Sequence, residues 1–161
     1  MQYIKTGKYR SDAKRNWLVM VDDDDYEYLN QFNWHTDKEG SVNSWRGSKN
    51  NKSVLLPRLI MKAPANLEVD HIDGNRLNNQ KSNLRLATSS QNKMNRGPRK
   101  DNKSGYKGVS WHKQRNQWTA RIMANGKYQH LGLFGNILDA VKTYNEAAIK
   151  YFGEFAWINK I

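Results

Sequence analysis

Residues 67–95 read Leu67-Glu68-Val69-Asp70-His71-Ile72-Asp73-Gly74-Asn75-Arg76-Leu77-Asn78-Asn79-Gln80-Lys81-Ser82-Asn83-Leu84-Arg85-Leu86-Ala87-Thr88-Ser89-Ser90-Gln91-Asn92-Lys93-Met94-Asn95. A short apolar run, Leu67 to Val69, delivers Asp70 and His71 side by side at the end of a strand, so their side chains splay apart. Asp73-Gly74-Asn75 has strong turn chemistry. Leu84 to Ala87 forms a second short strand, and Thr88 is placed to cap a helix whose first turns hold Asn92. A strand-loop-strand-helix unit of this kind folds Asn92 back toward Asp70.

These residues resemble the HNH endonucleases of the ββα-metal group, especially the small phage and intron-associated ones. Asp70-His71, Asp73-Gly74-Asn75, Asn79, Asn83-Leu84-Arg85, Thr88 and Asn92 all stand at that family's spacing. The resemblance implies that Asp70 and Asn92 offer oxygen ligands to one hard divalent ion, Mg²⁺ or Mn²⁺. It implies His71 as the general base that takes a proton from the attacking water. Asn83 would accept a hydrogen bond from the other imidazole nitrogen and so fix the tautomer of His71. Each residue alone also has a structural explanation, as a turn, loop or cap residue. One departure stands upstream, where Pro57 precedes Arg58-Leu59-Ile60 and related small proteins commonly have a histidine. Arg58 and Arg85 are candidate phosphate contacts.

The chain has 161 residues and a formal charge of +12, which favours a polyanionic partner. The excess is concentrated. Between residues 93 and 133, Lys93, Arg96, Arg99, Lys100, Lys103, Lys107, Lys113, Arg115, Arg121 and Lys127 face Asp101 alone, so the polyanion is expected there. The chain has no cysteine, which excludes disulfides, thiolate catalysis and cysteine-held zinc. Met1 to Arg10 carries Lys5, Lys8 and Arg10 without the apolar run of a signal peptide. Nowhere do about 18 apolar residues follow one another, so no membrane partner is expected and the location expected is cytoplasmic, in a bacterial host if the gene is a phage's.

From Asn95 to Gly105 the chain has no apolar residue, two Gly and one Pro, and 96–105 reads as a basic linker. Arg96, Arg99 and Lys100 within it are placed to follow a phosphate backbone. Beyond it, Tyr106 to Trp111, Gln117 to Ala124 and Tyr128 to Phe134 read as three strands. Trp118, Ala120 and Ile122 alternate with Thr119, Arg121 and Met123, and Asn125-Gly126 is a two-residue hairpin signal. Asn136 to Phe152 reads as a helix capped by Asn136 and stopped near Gly153, with Ala140, Tyr144, Ala147, Ala148 and Tyr151 in one stripe. That stripe should cover one sheet face and leave the other free.

Ser104-Gly105-Tyr106-Lys107-Gly108-Val109, Trp118-Thr119-Ala120-Arg121-Ile122, Leu131-Gly132-Leu133-Phe134 and Asp139-Ala140 with Tyr144, Ala147 and Ala148 resemble the Apetala-type domain of plant ethylene-response factors. The likeness implies a sheet face lying in the major groove. Carried over by position, that face holds Ser110, His112, Arg121, Met123, Tyr128 and His130. Several of these are Arg or Trp in the plant proteins, so their target sequence does not transfer. Lys107, Lys113, Arg115 and Lys127 are expected at phosphates.

The first 69 residues are less legible. Trp17 to Val21 reads as a strand, and Asp22 to Asp25 as an acidic run that suits the N-terminus of a helix over Tyr26 to Phe32. Trp34 and Trp45 are assigned to short strands, Val54 to Met61 to a strand leading into a helix, and His35 to a structural role.

The expected architecture is α+β. Residues 1–95 form a small α+β nuclease domain with its ββα-metal core at about 67–95, residues 96–105 the linker, and residues 106–161 a three-stranded antiparallel sheet on one helix. The expected function is a metal-dependent endonuclease acting on double-stranded DNA, suited to a homing or mobile-element role, without a small-molecule cofactor. The alternatives are a sequence-specific DNA-binding regulator on an inactive HNH fold, and an RNA-binding protein, for which the aromatic-rich signature is missing.

Overall fold

A computed structural model of the chain describes residues 1–7, 17–37, 39–45 and 53–161. Lys8 and Arg10 lie outside the described residues. The fold is α+β, and the chain divides into two compact units, Met1–Asn92 and Lys93–Ile161.

In the first unit, β1 (Gln2–Lys5) pairs antiparallel with β2 (Leu18–Val21). Alternation sends Ile4, Val19 and Val21 inward, where they meet Leu29, Trp34, Val42 and Leu56 in one buried cluster. Helix α1 (Asp23–Leu29) carries Asp23, Asp24 and Asp25 in its first turn, where the helix dipole favours anions. The helix has the length that the sequence pattern suggests but starts three residues earlier, at Asp23, and ends at Leu29. There the Trp34 indole donates to the Leu29 carbonyl at 2.8 Å, which satisfies the buried N–H.

A second sheet holds β3 (His35–Thr36), β4 (Val42–Trp45) and β5 (Ser53–Leu55) in sequence order. Trp45 ends β4, whereas Trp34 precedes β3 and is not in a strand. His35 is buried in β3. Helix α2 (Leu56–Ile60) has Pro57 in its first turn, where a missing N–H costs nothing. Pro57 is buried there, so a packing role is sufficient to account for it. Strand β6 (Glu68–His71) pairs antiparallel with β7 (Leu84–Ala87), and α3 (Ser89–Met94) follows. The Thr88 hydroxyl accepts from the Gln91 N–H while the Gln91 side chain accepts from the Thr88 N–H, a reciprocal capping box.

The second unit is a meander of β8 (Val109–His112), β9 (Gln117–Ala124) and β10 (Lys127–Phe134), followed by α4 (Ile137–Phe152). Asn125 and Gly126 both take positive φ at the β9–β10 turn, as a two-residue hairpin requires. Asn136 accepts from the Leu138 N–H and caps α4. The helix buries Ala140, Val141, Tyr144 and Ala148 against Val109, Ala120 and Ile122. Tyr151 is not in that stripe; its hydroxyl instead donates to Gln129 at 2.7 Å. Asn159 ties the C-terminal segment down by exchanging hydrogen bonds with Asn145 and with the Lys107 backbone.

The segment read as a linker is partly built into this unit. Asn95 is buried, Gly97 lies against the Trp157 ring, and the Asn102 side chain joins Ser104 to the Tyr106 carbonyl. Its polar residues satisfy backbone groups in place of water, which a composition reading cannot distinguish from solvation. No helix among the described residues is long and apolar enough to cross a membrane.

Gly108 is the tightest point of the second core. It has φ +77°, and a Cβ there would lie 2.1 Å from the Tyr144 ring and 2.6 Å from the Arg121 carbonyl. Gly105 shares the conformation, φ +78°, with open space around it. Gly108→Ala is expected to cost roughly 4 kcal/mol or more, through overpacking of rigid atoms. Gly105→Ala should cost only about 1–2 kcal/mol of backbone strain. Thermal unfolding of the two variants checks the contrast.

Candidate active site

Strand β6 ends with Asp70 and His71, and the register with β7 places Arg85 opposite Asp70 and Leu84 opposite His71. Asp70 is 4% exposed. The Arg85 guanidinium donates to its Oδ2 through Nε at 2.8 Å and Nη2 at 2.7 Å, which balances a charge that could not stay buried unpaired. Glu68, two residues earlier and so on the same strand face, accepts from the Asn92 amide at 2.6 Å. The α3 helix is thereby tied to the Asp70 face of β6, with the Asn92 Nδ2 on Glu68.

The imidazole of His71 meets Asn79, with Nε2 3.1 Å from Oδ1. Asn79 is fully buried, and its Nδ2 donates to the Arg76 carbonyl at 3.0 Å. That second bond fixes the amide orientation, so Oδ1 accepts and Nε2 carries the hydrogen. The basic lone pair of the neutral ring is then on Nδ1. Burial lowers the His71 pKa below the ordinary imidazole value, and the Asn79 bond and the Asp73 and Asp70 charges oppose it only in part.

Asn83, expected on the imidazole, serves elsewhere. Its amide donates to Asp73 Oδ1 and to the Asn78 carbonyl, both at 2.9 Å, while its oxygen accepts from the Asp73 N–H. The role assigned to it at His71 is carried by Asn79, because Asn83 sits at the foot of β7 where it closes the loop on itself. The loop is held from outside as well. The Met20 N–H donates to the Leu77 carbonyl and the Asn79 N–H to the Met20 carbonyl, both at 2.8 Å. Asp22 accepts from the Lys81 N–H and the Gln80 side chain, and Asp25 pairs with Lys81. The acidic run read as a helix start therefore also anchors the loop that aims His71.

Asp73 is the hub of that loop. Burial alone would raise its carboxyl, but hydrogen bonds from the Asn78 side chain, the Asn75 N–H and the Asn83 side chain outweigh this and hold it below the ordinary carboxylate range.

Among the described residues, no three His, Cys, Asp or Glu gather as a metal-holding group. The donors at hand are the Asp70 and Glu68 carboxylates and the Asn92 amide oxygen, all hard. Such a sparse oxygen set fits Mg²⁺ or Mn²⁺, ions that keep several waters, and does not fit a caged zinc.

Several candidate DNA contacts are placed differently from expectation. Arg58 spends its guanidinium on the carbonyls of Leu67, Ala63 and Pro64, which staples α2 to the start of β6 and corrects its reading as a phosphate contact. Lys107 is half-buried with Nζ on the Met94 carbonyl at 2.6 Å, and burial lowers its pKa to about 8, so it also serves structure. Arg85 is occupied by Asp70. Arg96 and Lys100 are exposed, and Arg99 pairs at the surface with Asp101.

On the sheet, Arg121 lies opposite His130 and Met123 opposite Tyr128. Ser110, Arg121, Met123, Tyr128 and His130 are exposed on the face away from α4, with Lys113 and Arg115 exposed in the β8–β9 turn. An open hollow of about 380 Å³ there is lined by His112, Arg115, Thr119, Arg121, His130 and Leu133. Trp111 is on the opposite face, edge-to-face with Trp118 at 5.0 Å.

A family model described as HNH endonuclease matches residues 62–94. The chain is 35% identical over 146 residues to an uncharacterized HNH endonuclease of Acanthamoeba polyphaga mimivirus, covering 89% of this chain and 75% of the relative. It is 40% identical over 93 residues to Protein 3.8 of Escherichia phage T7, covering 58% of this chain and 76% of the relative. A stretch of 67 residues, 42% of this chain, is 39% identical to the APETALA2-like protein 2 of Oryza sativa subsp. indica, 15% of that protein.

Because the folded pKa of Asp73 is depressed, its contribution to stability is present above the ordinary carboxylate range and is lost as pH falls through the folded value. Asp73→Asn should therefore melt below the parent at neutral pH, and the gap should close progressively in acid. Melting temperatures of both proteins across an acid series test this.

Proposed function

The chain belongs to the HNH endonucleases, and from that premise we propose that it hydrolyses phosphodiester bonds of double-stranded DNA in a divalent-metal-dependent reaction. The observation that carries this reading is the imidazole of His71, fixed through Nε2 by Asn79 beside the buried carboxylate of Asp70.

In this reading Asp70 and Asn92 hold one Mg²⁺ or Mn²⁺ by oxygen. When bound, the ion neutralises charge on the scissile phosphate and on the leaving 3′-oxygen. The remaining work belongs to the chain. His71 Nδ1 takes the proton of the attacking water, and the lowered pKa keeps the ring neutral and able to accept it. Asn79 holds the ring in the required tautomer. Glu68 holds the Asn92 amide by its Nδ2, and Asn83 keeps the loop closed over Asp73.

The second unit supplies DNA binding. Arg121, His112 and His130, with Ser110, Met123 and Tyr128, form the base-reading face, while Lys113, Arg115 and Lys127 meet phosphates. Arg96, Arg99 and Lys100 follow the backbone upstream of it. A nuclease core with a separate reading module suits a homing or mobile-element role.

Supercoiled plasmid incubated with Mg²⁺ or Mn²⁺ tests the enzyme. The parent should nick it; His71→Ala should lose about 10²- to 10⁴-fold in rate, and Asn79→Ala about 10- to 100-fold. DNA binding with no cleavage in either metal would instead leave a regulator on an inactive fold. For the reading face, Arg121→Ala should weaken binding to a site selected from random DNA by roughly tenfold or more, with a much smaller loss on unselected DNA. Equal losses on both would misplace the face.

A further inference from the structure

The pairing of Asp70 with Arg85 has a consequence for how the site takes up its ion. Side-chain exposures are 5% for Asp70 and 12% for Arg85. The two face each other directly across β6 and β7, so neither can leave the other without a change of rotamer. Two N–H groups of the guanidinium converge on one oxygen, Oδ2. A divalent ion arriving at Asp70 would meet a carboxylate already paired, with a positive charge within about 3 Å of Oδ2. In a poorly hydrated setting that repulsion is strong.

We propose that Arg85 is the resident counter-ion of the metal site: it holds Asp70 while no ion is bound and competes with the divalent ion for that carboxylate. Ion binding then frees a planar two-pronged donor, whose geometry matches a phosphate as well as a carboxylate. The inference rests on the reading of Asp70 as a metal ligand. It explains why an arginine consumed inside the protein stands in a nuclease site, where a buried ion pair adds little net stability over apolar residues. The pair keeps Asp70 aimed before the ion arrives, and substrate contact by Arg85 becomes conditional on the metal.

Mn²⁺ binding to the full chain without DNA, measured by calorimetry, tests the competition. Arg85→Gln is expected to bind Mn²⁺ on the order of tenfold more tightly than the parent, and Asp70→Asn to lose binding. Without metal, Arg85→Gln should melt below the parent, with saturating Mn²⁺ restoring much of the gap. Binding by Arg85→Gln equal to or weaker than the parent's, with Asp70→Asn still deficient, overturns the inference alone. No Mn²⁺ binding by parent and variant alike overturns it together with the metal reading. Should Arg85→Gln fail to fold, the parent decides the matter by ¹⁵N resonance of arginine side chains, with the Arg85 signal identified through Arg85→Lys. The Arg85 Nε–H signal should shift and lose its protection from solvent exchange on Mg²⁺ titration. A signal unmoved at saturating Mg²⁺ overturns the proposal.

Discussion

The strand pair that carries the site is only four residues deep on each side, so the connection between β6 and β7 has to be held by something other than the ladder. What holds it is a set of amide and carboxylate bonds. Asp73 accepts from Asn75, Asn78 and Asn83, Asn79 reaches the Arg76 carbonyl, and the Met20 backbone grips the loop from outside. Polar groups that are fully satisfied specify one geometry, and the same groups left half-satisfied would be costly. The aim of His71 is therefore a property of the loop's hydrogen bonding, with apolar packing added by Leu84 at its base and by Leu77 against the first core.

This constraint explains which parts of the site were legible in the amino-acid order. Asp70, His71 and the two strands could be placed because strand pattern and turn chemistry act locally. The partner of His71 could not. Five asparagines, Asn75, Asn78, Asn79, Asn83 and Asn92, stand within eighteen positions, and each can accept from an imidazole. Selection among them is made by Met20 and Asp22, which anchor 77–81 from more than fifty residues away. Spacing alone carries no trace of that contact. Glu68 was missed for a related reason: its value lies in facing Asn92 across the fold, although its position two residues before Asp70 places it on the same strand face.

The C-terminal unit was more legible because its signals agree with one another. Alternation in β9, the Asn125-Gly126 turn and the Asn136 cap each describe a local preference, and all three fit one meander under one helix. The errors there concern charges. Lys107, like Arg58 in the first unit, reads as a phosphate contact because it is basic, but both side chains are donors to backbone carbonyls. A cation next to a chain reversal has two uses, and only the position of nearby carbonyls distinguishes them.

That distinction bears on how charge becomes function across the protein. A formal +12 suggests a uniformly adhesive surface, yet three half-buried cations are spent on internal acceptors: Arg58 on carbonyls, Lys107 on Met94 and Arg85 on Asp70. Lys113, Arg115, Arg121 and Lys127 of the second unit are instead exposed, as a cation that exchanges counter-ions with a polyanion must be. Around Asp70 the local balance matters more than the net charge, because the carboxylate has Arg85 as an internal partner.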